Sequence, residues 1–210
     1  MFEIKNYSLE IKGKVLFKET DVSFEVGKVN HILGKNGVGK SQFAKDLLLN
    51  NSRKIPKEIL GNVTVIASFS NVPSDVSTKD IFKLLEKKFD KTEVHKLSSH
   101  LNLDNISKDA LIGKLSDGQK QKLKLLSFLL EDKQVIVLDE VTNALDKTTT
   151  NEIYDFFNNY IKKNPNKLII NITHNLSDLQ NLPGDYYLLE YQKFVKMASK
   201  GEAIKKYIEG

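Results

Sequence analysis

The stretch "GKNGVGKS", Gly34 to Ser41, follows directly on the apolar run "VNHIL", Val29 to Leu33. A strand that feeds a glycine-rich loop opening onto a helix is the layout of a phosphate-binding P-loop, and every fixed position of that pattern is filled here. The glycines let backbone N–H groups turn inward around a di- or triphosphate, and a helix starting at Lys40 adds the positive end of its dipole. Lys40 is placed to neutralise β- and γ-phosphates, and Ser41 to offer its hydroxyl to Mg²⁺. The bland reading, a glycine-rich turn before a helix, does not explain why all of these residues stand in one strand–loop–helix unit.

On the N-terminal side of this unit the chain reads as short strands, "FEIKNYSLEI", "KVLFKE", "DVSFEV" and "VNHILG", with turns at Gly13 and Gly27. Spacing that close predicts an antiparallel element. On the C-terminal side "VTVIASF", "QVIVLDE" and "KLIINITH" are apolar strands separated by helical segments, which predicts a parallel, buried α/β sheet. Thr78 to Leu130 reads as largely helical, and "TKDIFKLLEKKF" sets Ile81, Phe82, Leu84, Leu85 and Phe89 at helical spacing.

The 210 residues are 40% hydrophobic and 28% charged, enough for one large domain or a domain with a sub-lobe. With no cysteine there is neither a disulfide framework nor a thiolate metal site. The first residues, "MFEIKNYSLEIKGK", carry charges where a signal peptide needs an apolar core, and apolar runs such as "VIVL" are far too short to span a bilayer. The expectation is a soluble, cytoplasmic protein. A net charge of +5 arises from lysines interspersed with acidic residues, so nucleic acid is not an expected partner.

Two further stretches carry chemistry. "QVIVLDE", Gln134 to Glu140, is a buried strand ending in two carboxylates: Asp139 can hold a Mg²⁺-bound water, and Glu140, one residue nearer solvent, can polarise an attacking water. "KLSDGQKQKLKLLSFLL", Lys114 to Leu130, opens as a capping box, with Ser116 as N-cap and Gln119 as its reciprocal partner. Gly118 does not belong to that logic. Glycine in a helical turn costs about 1 kcal/mol against alanine, so something has to come close to this helix end.

In order along the chain, "GKNGVGKS", "LSDGQ", "VIVLDE", "NALD" and "NITHN" resemble the Walker A, signature, Walker B, D-loop and switch-histidine motifs of the ATP-binding cassette (ABC) family, and the match runs nearly end to end. The resemblance implies an α/β fold, a P-loop NTPase core with an N-terminal antiparallel β-subdomain and an inserted helical subdomain. It makes 1–210 a single ABC ATPase domain, with core and β-subdomain at about 1–70 and 131–210 and the helical subdomain at about 71–130. It assigns ATP binding to Gly34, Asn36, Gly37, Val38, Gly39, Lys40, Ser41 and Gln42, Mg²⁺ to Ser41 and Asp139, and catalysis to Glu140 and His174. Leu115, Ser116, Asp117, Gly118 and Gln119 would cap the γ-phosphate held by a second ABC subunit, identical or not, which gives Gly118 a reason: it admits a partner's phosphate. Asp146 would communicate between the two sites, and locally it is also a good N-cap for "KTTTNEIYDFF". His31, His95 and His100 have no comparable context and read as structural.

Three departures accompany the resemblance. The strand after Walker A lacks the family's usual glutamine, and Ser70 or Asn71 stands in that neighbourhood. Ile11 and Lys12 stand about where an adenine-stacking aromatic is expected, with Phe17 as a substitute. Asp117 replaces the usual first glycine of the signature, favouring the helix dipole but repelling phosphate unless it points away. The function implied is the ATP-hydrolysing subunit of a transporter, peripheral on the inner face of the cell membrane and paired with a separate integral membrane subunit. The alternatives are a non-transport ABC ATPase in defence, regulation or DNA association, and a nucleotide-gated binding module that hydrolyses weakly.

Overall fold

A computed structural model describes residues 2–68 and 72–209. The chain opens with a two-stranded antiparallel ribbon, β1 (Phe2–Ile11) and β2 (Lys14–Phe24). The runs expected as two strands, "KVLFKE" and "DVSFEV", form this single β2. The ribbon bends there without ending, because Asn6 and Glu19 take left-handed φ values of 49° and 46° and shift the register. Side chains stand in for the missing ladder bonds: Asn6 N donates to Asp21 Oδ1 (2.7 Å) and Glu19 N to Ser8 Oγ (2.9 Å).

The main sheet has six strands in the order β4 (Val63–Ile66), β5 (Val135–Asp139), β6 (Leu168–Ile172), β3 (Val29–Leu33), β7 (Gly184–Glu190), β8 (Lys193–Met197). All neighbours pair in parallel except β7 with β8. Strands β3, β4, β5 and β6 are buried at every residue, which is why they read as predominantly apolar runs without in–out alternation. "VNHIL" therefore leaves the antiparallel group in which its spacing placed it and lies at the sheet centre, between β6 and β7.

The helices are α1 (Lys40–Leu49), α2 (Thr78–Lys88), α3 (Lys91–His100), α4 (Asp117–Leu129), α5 (Lys147–Lys163), α6 (Leu176–Asn181) and α7 (Lys200–Glu209). Helix α2 starts on a Ser77 cap and buries Ile81 and Leu85, while Leu84, expected on the same apolar face, points to solvent. One core lies where the ribbon meets α1 and β8, with Tyr7, Phe17, Phe24, Phe43 and Phe194 in mutual ring contact. The ribbon also covers the sheet's edge strand, through Lys18 N to Gln192 O (3.1 Å) and Phe194 N to Thr20 Oγ1 (3.1 Å). A second core packs Leu123 and Leu126 of α4 and Ile153 and Phe157 of α5 with Ile136 and Leu138 of β5. Each such fully buried side chain contributes about 1.5–3 kcal/mol. Wedged between the two cores, the sheet delivers the C-terminal ends of β3, β5 and β6 to one edge, where ligands bind in open α/β folds.

Candidate functional site

The loop leaving β3 turns through Gly37 (φ 80°) and Gly39 (φ 115°) before α1 begins at Lys40. A Cβ on Gly39 would lie 3.1 Å from the Phe17 ring and 3.2 Å from Leu16 Cβ, so the β1–β2 ribbon fixes the back of the loop. Lys40 is buried, and its ammonium donates to Gly34 O (2.6 Å) and Lys35 O (3.0 Å), closing the loop over its own stem. Burial pulls its pKa down, against an upward pull from Glu140 and Asp139. That ammonium is therefore a cation with acidic neighbours, held against two carbonyl oxygens of the loop.

Strand β5 carries Asp139 into the interior, 6% exposed, where burial raises its pKa against a lowering pull from the Ser41 hydroxyl nearby. Its Oδ1 is buried with no hydrogen-bond partner among the described residues. An orphaned carboxylate oxygen beside a hydroxyl is an oxygen donor set suited to a hard divalent cation. Two protein ligands are few, which fits Mg²⁺ filling its shell with waters and phosphate oxygens.

Glu140 follows in a left-handed turn, φ 58°, with its N–H still paired to Ile172 O (2.9 Å) on β6. The turn swings its side chain across to the end of β6. There Oε1 accepts from His174 Nδ1 at 3.0 Å, while Oε2 accepts from Asn143 Nδ2 at 2.9 Å. Both oxygens are thus bonded, and the His174 side chain remains partly exposed. Asn143 escaped the sequence reading; its signal is its place three residues after Glu140, in the same turn.

The signature segment lies at the start of α4. Both halves of the capping box form: Gln119 N donates to Ser116 Oγ (3.2 Å) and Ser116 N to Gln119 Oε1 (3.0 Å). Asp117 points into solvent and pairs with Lys120 at 3.5 Å, and Leu115 is buried beneath the turn. Gly118 is buried, and a Cβ there would sit 2.6 Å from Thr149 Oγ1 and 2.8 Å from Thr149 Cγ2. The close approach that Gly118 serves within this chain is therefore to α5, a reason absent from the sequence reading. Thr149 is itself held by Asp146, which caps α5 by accepting from Thr149 N (2.9 Å) and Thr149 Oγ1 (2.7 Å). The signature helix and the Asp146 turn are locked together through this one side chain.

One expectation changes here. Phe17 is fully buried and stacked on Phe194, so it cannot stack on a nucleobase; the ring is spent on the core. Ile11 is half-buried and Lys12 exposed at the ribbon's tip. The Ser70 and Asn71 positions lie outside the described residues. Among the three remaining histidines, His31 is buried, His95 pairs with Glu86 (3.2 Å) and His100 Nδ1 meets Lys96 O (2.6 Å).

A P-loop, a carboxylate pair and a histidine on one edge of a parallel sheet define the class of P-loop nucleotide hydrolases. The comparisons with known proteins narrow it. The ABC transporter family model matches residues 17–143. Over 98% of both chains, the sequence is 57% identical to "Probable peptide export ATP-binding protein YydI" of Bacillus subtilis strain 168. The fold superposes on an ATP-binding subunit of an ABC transporter with a TM-score of 0.81 at 16% identity, covering 99% of this chain and 97% of that one. It also superposes on a bacterial Atm1-family ABC exporter with ATP bound, TM-score 0.79 at 17% identity, covering 99% of this chain and 41% of the exporter's. The chain belongs to the ABC transporter family, as an ATP-binding and ATP-hydrolysing subunit. Among the described residues no helix is long and apolar enough to cross a membrane.

Proposed function

We propose that this subunit powers peptide export through a separate integral membrane subunit, from the cytoplasmic side. The likeness over nearly the whole chain to a protein named for peptide export supports the cargo class. ATP would bind with its β- and γ-phosphates in the loop Gly34–Gly39, displacing the Lys40 ammonium from Gly34 O and Lys35 O onto phosphate oxygens. Asn36, Val38 and Gln42 complete the nucleotide contacts. Mg²⁺, held by Ser41 and the orphaned oxygen of Asp139, would neutralise charge developing on the phosphates.

The observation that carries the hydrolytic reading is the Glu140–His174 pair. Glu140 takes the proton of the attacking water, and His174 orients the carboxylate and directs Nε2 at the γ-phosphate. Two such subunits would close head to tail, each presenting Leu115–Gln119 to the other's ATP, with Asp146 passing the state of one site to the other. The helical segment at about 71–130 would relay opening and closing to the membrane subunit. Purification from solubilised membranes tests the assembly. A stoichiometric integral membrane protein is expected to accompany the subunit, and an ATPase that leaves the membrane alone would refute the transport reading.

A further inference from the structure

A carboxylate lies buried behind the catalytic pair and takes no part in the mechanism above. Asp178, 1% exposed, sits on α6 one turn beyond His174. Its Oδ1 accepts from the hydroxyls of Thr142 (2.8 Å) and Tyr154 (2.7 Å), and its Oδ2 from Asn171 Nδ2 (3.2 Å). Asn171 Nδ2 also meets His31 Nδ1 (3.2 Å), while His31 Nε2 donates to Leu182 O (2.8 Å). Every donor to Asp178 is a neutral side chain, and every member of the network is buried. Burying a carboxylate carries a desolvation cost that an apolar residue would avoid, so its presence calls for a reason beyond packing.

The reason lies in what the network joins. Thr142 lies between Glu140 and the Ala144 bend (φ 59°), next to Asn143, which holds Glu140 Oε2. Asn171 is on β6, just before the turn to His174, and Asp178 is on the helix that leaves that turn. Tyr154 brings in α5, the helix capped by Asp146. One carboxylate thus ties the turn carrying Glu140 to the turn carrying His174.

We propose that Asp178 is a positioning residue for hydrolysis: through Thr142, Asn171 and Tyr154 it holds the Glu140 and His174 turns in one frame and sets their 3.0 Å contact. The proposal rests on Glu140 and His174 acting at the attacking water, and it predicts a loss of turnover without a loss of nucleotide binding. Displacing a catalytic group by about 1 Å costs on the order of 10²-fold in rate.

The test uses the full chain, with Mg·ATP affinity and steady-state phosphate release measured well below each variant's melting temperature. Asp178→Asn replaces an acceptor by an amide that opposes Asn171 Nδ2; it is expected to lower kcat on the order of 10²-fold with ATP affinity unchanged. Thr142→Val should lower kcat by about tenfold and Thr142→Ser should restore it. In a Glu140→Gln background, Asp178→Asn should lower turnover no further, because both act on one step. Variants that melt earlier but turn over like the wild type would overturn the proposal, as would additive losses in the double variant. If Asp178→Asn fails to fold, the Thr142→Val and Thr142→Ser pair decides in the same way. Wild-type turnover in Glu140→Gln alone is a separate outcome and would refute the catalytic reading instead.

Discussion

Glu140 Oε1 and His174 Nδ1 stand 3.0 Å apart, although the residues end different strands and are joined only by the fold. A carboxylate bonded this way is oriented but not spent, since its second oxygen is held by an amide donor, Asn143, that leaves lone pairs free. Loss of the histidine should therefore disorder the base without emptying the nucleotide site. His174→Ala is expected to bind ATP normally and release phosphate at least 10²-fold more slowly. Parallel affinity and turnover measurements check this; unchanged turnover would remove His174 from the mechanism.

The Gly118–Thr149 contact makes a prediction opposite in sign to helix propensity. Alanine for glycine in a helix ordinarily stabilises by about 1 kcal/mol. Here the added methyl would meet Thr149 at 2.6 Å, and overpacking of that kind costs about 1–3 kcal/mol. Gly118→Ala should lower the melting temperature, and adding Thr149→Ala, which removes both nearest atoms, should recover part of the loss. A Gly118→Ala protein more stable than the wild type would show that α5 does not press on this helix.

His31 gives a pH dependence. Burial pushes its pKa down to about 4, from 6.5. The unfolded chain thus takes up a proton below about pH 6.5 that the folded chain refuses until about pH 4, and stability falls as pH drops through that window. The difference is worth about 3 kcal/mol. His31→Gln removes this component, so its urea-unfolding free energy should fall less than the wild type's between pH 7 and 4.5. Equal slopes would mean that another group carries the dependence.

Signature exposure can be separated from helix capping. Ser116 is exposed and already caps α4, so Ser116→Arg should cost about 0.5–2 kcal/mol through the lost cap. If the segment also faces a partner's phosphate, the same change should abolish ATP-dependent dimerisation of Glu140→Gln in light scattering while each monomer still binds ATP. Dimers that survive the arginine would refute the trans-capping role.

How far the sequence reaches can be judged from particular residues. The P-loop was legible because phosphate binding restricts residue type at fixed local spacing, and β4, β5 and β6 because a strand buried on both faces is mostly apolar, its few polar residues such as Asn171 being hydrogen-bonded inside. The bend in β2 was not, since Glu19 and its counterpart Asn6 bear left-handed backbones whose N–H groups are satisfied only across the ribbon, Glu19 N by Ser8 and Asn6 N by Asp21. Gly118 was noticed but its neighbour could not be, because Thr149 reaches it only through the packing of α4 on α5. Phe17 illustrates the opposite error. Its ring suits a base-stacking role by type, and only the aromatic cluster shows that the core has already claimed it.

The division of labour between Lys40 and Glu140 is the centre of the account, and one pair of variants tests it directly. Nucleotide affinity and phosphate release are measured side by side for Lys40→Ala and Glu140→Gln. The buried ammonium is placed to meet phosphate, so Lys40→Ala should bind ATP much more weakly; Glu140→Gln should keep ATP bound and lose turnover by about 10²–10⁴-fold. Glu140→Gln turning over at the wild-type rate would contradict the account.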